Sequence, residues 1–521
     1  MKSDFTNNAS RIGDGVLLTG MILVVLLAFA SIVTVFLVPW YYAVIICSSV
    51  AILAAFFFWP EWGTYSLIFL IPFTTASVYF SIKADWNFIV GGKYIDFIPL
   101  FAVVVLFTFL GYVLRRLSRV EKGTSGNIIA CPVFVVLAYS GLTILWSDYL
   151  GHSIFQFLIF AMNVGIFVLI TAYVKEEKHL AAAVWCFVAS GILQALSYMV
   201  CFFLKPYILT YKIFPDFSFG LNIAGGYFQL SGMPLTDGGF MDHHQLALMT
   251  NLVLAVSLGL LLTKPSRLKK SFLAVSMAMF IFVVLHTQSR AGIGSLLVMG
   301  CFAFLAFHVT RKYWFRLYPI FIVSVLVLYF VEAAVIGAIT DKYTTPRLLA
   351  LGQKMATTQN VIDPGLKDLK MGRMKLWKKS FKKYKDYVIE GFGVGNLKKF
   401  MHAPHAHSVF LSFLFDFGII GLSSIMFIVG ALVKCFKVLL RYQTSYSQIM
   451  SIAFGVGLVA IGFHGQFDFE YNTTLLWLYL GLTVASFRIS YQGICGTDSD
   501  VPGRSGNIAA TSSFVSAREA A

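Results

Sequence analysis

The sequence predicts an all-α, polytopic integral membrane protein of about 12–14 transmembrane helices with one large outer helical loop. Of 521 residues, 58% are hydrophobic and only 12% are charged, and the mean hydropathy is +0.79. That balance lies outside the range of soluble globular chains. Apolar runs of roughly 20 residues, the length that crosses a bilayer as a helix, recur along the whole chain. Lys and Arg gather in alternate short loops between those runs, as they do when alternate loops face the cytoplasm.

The first run, Val16 to Val38, contains Ala28-Phe29-Ala30, which has the form of a signal-peptidase site. The run continues well past it and reads as an uncleaved anchor. Further spans are expected at 41–58, 63–81, 97–114, 127–146, 153–174, 180–204, 243–263, 271–287, 292–310, 317–338, 417–436, 449–464 and 473–488. With the N-terminus inside, one side collects Arg115, Arg116, Arg119 and Lys122, then Lys175 and Lys178, then Lys264, Arg267, Lys269 and Lys270, then Arg311, Lys312 and Arg316, then Lys434, Lys437 and Arg441. The opposite short loops from Trp146 to His152 and from His464 to Asn472 hold no Lys or Arg, although the outer loop before residue 97 holds Lys83 and Lys93. The bias favours an even number of spans with both termini cytoplasmic.

This layout divides the chain into a helix bundle at 1–338, a large outer loop at 339–416, C-terminal helices at 417–490 and a cytoplasmic tail at 491–521. From about Gly493 the tail is rich in Ser, Ala, Gly and Asp and reads as disordered. The seven cysteines fall mostly inside spans without paired spacing, which argues against a disulfide framework or a thiolate zinc site. They read as small core residues.

Two outer segments are too long for simple turns. Lys205 to Asp242 is rich in Phe, Tyr and Gly. The second segment runs from about Thr340 to Asp416, and between Asp341 and Lys399 it holds fourteen Lys or Arg against five Asp or Glu. Long loops are exempt from the positive-inside rule, so the topology stands. Lys375 to Lys385 reads as an amphipathic helix on the membrane with Trp377, Phe381 and Tyr384 dipped inward, and most of its lysines read as a solvated face. Positive charge on this side also suits an acidic headgroup, a polyanion or a phosphorylated substrate.

Three further outer sequences stand out. Thr287-Gln288-Ser289-Arg290-Ala291-Gly292 puts a guanidinium at the hinge between two membrane helices. Gly372 to Gly395 contains Arg373, Trp377 and a G-x-G-x-G turn at Gly391, Gly393 and Gly395. His402-Ala403-Pro404-His405-Ala406-His407-Ser408 leads into an apolar run with Gly418 and Gly421.

In their order, spacing and shared membrane side, these sequences resemble the bacterial O-antigen ligase and O-antigen polymerase group of membrane glycosyltransferases. The resemblance covers roughly Thr287 to Leu422, with an echo near Gly238 to Leu248. It implies transfer or polymerisation of an undecaprenyl-pyrophosphate-linked glycan at the periplasmic face of the bacterial inner membrane, by an inverting, metal-independent reaction without cofactor. By motif, His407 is the catalytic histidine, with His405 two residues earlier as the competing candidate. Arg290 and Arg373 hold the donor pyrophosphate, and Asp242 and His244 lie on an acceptor path. The implied partners are the lipid-linked glycan, a glycan or lipid acceptor, membrane lipids, and flippase and chain-length regulator proteins.

The chemistry is consistent with those residue types. A sugar hydroxyl gains as a nucleophile from a neutral imidazole that accepts its proton. Arginine stays charged and presents a bidentate fork to the leaving pyrophosphate. The pattern departs from the family at Ser408, where Asn is usual, and at His244, where Asn is common. Simpler readings stand beside each residue. Arg290 suits an interfacial anchor, Asp242 a helix cap, the glycines a tight turn at positive φ, and His402 and His405 loop positions. A zinc site from His402, His405 and His407 is disfavoured because an extended segment points His402 away from the other two. Composition alone also fits a polytopic transporter, but charged pairs at mid-membrane are not evident in the sequence. A non-enzymatic scaffold leaves Arg290, Arg373 and His407 without a reason to gather on one side.

Overall fold

The computed structural model describes residues 40–72, 78–79, 89–90, 93–94, 100–118, 129–147, 150–208, 220–223, 226–229, 243–287, 289–308, 377–378, 380–397, 406, 408–440, 445–466 and 471–498. The expected spans at 16–38 and 317–338 lie outside the described residues. Within them the chain is a helix bundle: α1 (Trp40–Phe58), α2 (Pro60–Phe69), α3 (Leu100–Ser118), α4 (Ala130–Thr143), α5 (Leu150–Tyr173), α6 (Glu177–Ile208), α7 (His243–Leu262), α8 (Arg267–His286), α9 (Arg290–His308), α10 (Val409–Leu439), α11 (Tyr446–His464) and α12 (Thr474–Asp498). Among the described residues six helices are long and apolar enough to cross a membrane, and α1, α4 and α9 contribute shorter apolar segments. The molecule is therefore a polytopic, helical membrane protein.

Three element boundaries differ from expectation, each for a local reason. The span expected at 63–81 stops as a helix at Phe69. Pro72 follows and lacks the N–H that would continue it, and Val78–Tyr79 forms β1 instead. β1 pairs antiparallel with β4 (Gly220–Ile223), which pairs with β5 (Gly226–Gln229). A second small ribbon joins β2 (Ile89–Val90) to β3 (Lys93–Tyr94). The helix expected at 417–436 starts at Val409, because Ser408 supplies an N-cap, and it is broken at Gly418. The last helix continues past Gly493 to Asp498, and Ile494 on its extra turn packs against the main core.

The interior is aromatic and close-packed. Phe160 of α5 lies 6.0 Å from Phe417, 5.4 Å from Tyr471 and 5.4 Å from Trp477, centroid to centroid. This cluster joins α5, α10 and α12. Inside a bilayer, packing rather than water exclusion holds helices together, so small residues mark close crossings. A side chain at Gly292 of α9 would meet Ala247 Cβ of α7 at 2.5 Å, and one at Gly294 would meet Phe463 of α11 at 2.6 Å.

Contacts sort the loops into two groups, and these are the groups that charge separates. At one end Arg115 donates to the Phe58 carbonyl, Arg488 donates to Val174 O at 2.8 Å, and Ser447 N donates to Glu177 Oε1 at 2.7 Å. At the other end Val409 N donates to Gly465 O at 2.8 Å, Ser153 Oγ donates to Val394 O at 2.6 Å, and Asn163 Nδ2 donates to Asn472 O at 2.7 Å. The β1–β4 pairing likewise joins two segments expected on the outer side. The first is the end expected from the charge rule to be inner and the second the end expected to be outer, and the two are named accordingly. Exposed tryptophans sit at both, Trp59 and Trp62 beside the inner end and Trp146 at the outer one, where amphipathic rings favour the membrane interface.

Candidate functional site

The outer end is organised around the break in α10. Gly418 has φ 63 and ψ −155, a region open in practice only to glycine. The break leaves the last carbonyls of the first half-helix and the first N–H of the second without helical partners. The glycine turn supplies them: Phe392 N donates to Phe415 O at 2.6 Å, Gly393 N donates to Asp416 O at 3.0 Å, and Ile419 N donates to Val388 O at 2.9 Å. Gly391, Gly393 and Gly395 all have positive φ. A side chain on Gly391 would lie 2.5 Å from Gly418 N and 2.6 Å from Asp416 O. The tight-turn reading of the glycines therefore holds, and its purpose is to cap a broken helix.

The turn is fastened on its other face to the α4–α5 connection. Val394 N donates to Thr143 Oγ1 at 3.1 Å, Ser147 Oγ donates to Asn396 Oδ1 at 2.9 Å, and Ser153 Oγ donates to Val394 O. Tyr139 OH donates to Glu390 O at 3.2 Å. These Ser, Thr and Asn residues were not singled out in the sequence, since short polar side chains near a helix end are common and carry no spacing signal.

The lysine-bearing segment is helical at 380–384, with Ser380 and Tyr384 buried one turn apart and Lys378, Lys382, Lys383 and Lys385 exposed. The lysines form a solvated face. The aromatic face does not simply dip into lipid as the amphipathic pattern predicts; it packs on α10. Phe381 and Tyr384 make edge contacts with Phe415 at 5.2 and 5.6 Å. Together with Phe392, Leu397, Ala406 and Phe415, Tyr384 forms a small core separate from that of the bundle. Burial, then the nearby Glu390 and Tyr139, push the Tyr384 phenol up to about 12, so it remains a donor, to Val388 O at 2.8 Å.

That small core fixes the backbone on either side of position 407. Trp377 Nε1 donates to Ala406 O at 2.9 Å, and Ala406 is fully buried. Ser408, also fully buried, caps α10 by accepting from Leu411 N through its hydroxyl. A hydroxyl performs here the capping role that an Asn side chain also performs. His407, His405, Arg373 and Asp242 lie outside the described residues, as does His402.

The hinge between α8 and α9 belongs to the same end. Ser289 is buried, and its hydroxyl accepts from Gly292 N at 3.1 Å, capping α9. Arg290 is thus the first residue of α9; its side chain is outside the described residues. His244 Nδ1 lies 3.0 Å from Ser289 Oγ, which ties the expected acceptor-path histidine to the hinge. Asn251, one helix face below, donates to Gly292 O at 2.9 Å and to Ser295 Oγ at 2.7 Å. The hinge reaches the start of α10 through α11: Gly294 lies against Phe463, and Gly465 accepts from Val409 N.

One buried acid was missed. Asp416, at the end of the first half-helix, accepts from Tyr471 OH at 2.7 Å through Oδ2, joining α10 to the turn before α12. Its signal was present, since a lone Asp inside the run VFLSFLFDFGIIGL is a costly membrane residue that needs a partner.

Residues 274–426 match the sequence model described as O-antigen ligase. The match contains all of the stretch, Thr287 to Leu422, on which the resemblance was read. No curated protein matches the chain.

Proposed function

We infer, with the O-antigen ligase match as premise, that this protein is a glycosyltransferase of cell-surface polysaccharide assembly that uses an undecaprenyl-pyrophosphate-linked glycan at the periplasmic face of the inner membrane. The observation that supports the reading is the anchoring of the two residues that flank 407 in the sequence, Ala406 through its carbonyl to Trp377 and Ser408 through its cap on α10. A catalytic group must be held in place by rigid neighbours, and a loop histidine without a task gives no reason for such anchoring.

In this reaction His407 accepts the proton of the acceptor hydroxyl as its oxygen attacks the anomeric carbon from the face opposite the leaving group. The bond from that carbon to the pyrophosphate oxygen breaks with inversion, and undecaprenyl pyrophosphate departs carrying the bonding electrons. Arg290 and Arg373 stabilise the charge that develops on it. Arg290 at the N-terminus of α9 is reinforced by the helix amides, which favour an anion at the same place. His244, whose Nδ1 lies 3.0 Å from Ser289 Oγ, belongs to the acceptor approach.

The test is a gel profile of surface and lipid-linked polysaccharide in cells lacking the protein, complemented with wild type or His407→Ala. Loss of product with normal membrane levels of the variant supports the enzyme. Accumulation of short single-repeat glycans identifies a polymerase, and full-length chains stranded on the carrier identify a ligase. A wild-type profile from His407→Ala refutes the mechanism and returns the chain to the transporter reading.

A further inference from the structure

We propose that the inner end of the bundle carries a binding site for the phosphate of an acidic phospholipid, in an open cavity of about 170 Å³ lined by residues of α6, α7, α8 and α11. The cavity lies at the end opposite the candidate glycosyl-transfer site and takes no part in it. Its lining includes Trp185, Leu260, Ser266, Lys269, Leu273 and Tyr446.

Ser266, Lys269 and Tyr446 of the lining can each bind a phosphate oxygen, whereas Thr263 already donates to Leu260 O at 2.7 Å. The Lys269 ammonium lies 5.9 Å from the centroid of the Trp185 ring. A cation over an indole face is held in place, so this flexible side chain is stationed at the cavity. The Tyr446 hydroxyl is buried and has no hydrogen-bond partner among the described residues. A buried hydroxyl left unmatched is costly, and an acceptor oxygen in the cavity removes that cost. Ser266 stands at the N-cap of α8 but makes no side-chain cap hydrogen bond, leaving its hydroxyl and the first amides of α8 open to an anion.

Charge agrees with this assignment. The segment TKPSRLKKS brings Lys264, Arg267, Lys269 and Lys270 together without an acid. The carboxylate of Glu177 sits beside Tyr446, but it already accepts from Ser447 N at 2.7 Å, at the start of α11. The anion therefore belongs to the α8 side of the cavity.

The surroundings distinguish a lipid from a soluble anion. Leu268, Phe272 and Val275 follow the cavity along α8 at helical spacing, and all three are exposed. In a membrane such a stripe is covered by acyl chains. A headgroup phosphate at the cavity with its chains along this stripe uses both features. Free phosphate uses only the first.

The experiment measures thermal unfolding of the full chain in detergent during titration with dioleoylphosphatidylglycerol, dioleoylphosphatidylcholine or inorganic phosphate. The expected result is a rise in Tm with the acidic lipid, a clearly smaller rise with the zwitterionic one, and none with inorganic phosphate. Lys269→Gln is expected to weaken the apparent affinity for phosphatidylglycerol roughly fivefold, the loss expected for one lysine at a membrane surface. Tyr446→Phe is expected to weaken it by a smaller factor. Lys434→Gln/Lys437→Gln, at the same end but away from the cavity, is expected to leave it unchanged. Equal response to both lipids, a Lys269→Gln titration like that of wild type, or an equal loss in the Lys434/Lys437 control overturns the proposal. So does a full response to inorganic phosphate, which assigns the site to a soluble ligand.

Discussion

Replacing Gly418 by Ala adds one methyl group, removes no chemical function, and is expected to disable the candidate site. Two costs combine. The φ, ψ pair of 63 and −155 is strained for any side chain by about 1–3 kcal/mol. The added Cβ would also overlap the Ile389 carbonyl and lie 2.8 Å from Gly391 N. Both neighbours are backbone, so relief requires the glycine turn to move off α10. That movement gives up the hydrogen bonds from Phe392 N, Gly393 N and Ile419 N, each worth about 0.5–1.5 kcal/mol. The combined penalty is roughly 3–7 kcal/mol. Undocking the turn is the cheapest escape, because the small core around Tyr384, Phe392 and Phe415 is separate from that of the bundle. The expected phenotype is a protein that still reaches the membrane, is nicked by trypsin within Lys378 to Lys385 at least tenfold faster than wild type in spheroplasts, and yields little polysaccharide. Gly430→Ala serves as the control on the same helix, since a Cβ there meets nothing within 4 Å, and it is expected to be silent. Wild-type nicking and a wild-type polysaccharide profile from Gly418→Ala would refute the claim that the turn and the helix break support each other.

Arg290→Lys is expected to leave membrane levels normal while lowering product formation at least tenfold in a single-turnover assay, because an ammonium lacks the planar fork that holds pyrophosphate; full activity would reduce Arg290 to an anchor. Trp377→Phe keeps an aromatic ring but leaves Ala406 O without its donor, costing about 1–3 kcal/mol locally; polysaccharide yield should fall without loss of protein, and an unchanged yield would detach Trp377 from position 407. Ser408→Asn is expected to retain activity and Ser408→Ala to lose about 1 kcal/mol of helix capping, which thermal unfolding of the two purified variants compares directly.

The spans were legible because their signal is additive. A run such as Tyr446 to His464 is apolar over its full length, and no single residue can reverse that. The division of the loops into two ends was legible for the same reason, since the lysines and arginines of separate loops vote independently and the contacts divide the loops in the same way. What escaped was set by single residues acting in tertiary context. Pro72 lies inside a run apolar enough to span, yet it ends the helix. Gly418 lies inside a run that reads as one helix, and only the distant sequence Tyr387 to Asn396 makes its break affordable in hydrogen bonds. Trp377 and Phe381 read correctly as an apolar face, but periodicity cannot say whether lipid or protein covers it.

The glycine turn at 391–395 and the start of α10 at 408–421 gain a common explanation from the break in α10. A continuous helix from Val409 to Leu439 would satisfy its own backbone and have no need of the glycine turn. Once Gly418 interrupts it, the orphan carbonyls of Phe415 and Asp416 require donors from elsewhere in the chain, and the turn that provides them brings Trp377 to Ala406. The Asp416–Tyr471 hydrogen bond and the Val409–Gly465 bond hold the same half-helix to the turn before α12 and to α11. Through α11 it is linked to α9, where Gly294 lies against Phe463. The first half of α10 is thus restrained from three directions, and position 407 immediately precedes its cap. Backbone satisfaction at one helix break is what joins the glycine turn to the start of α10 at one end of the bundle.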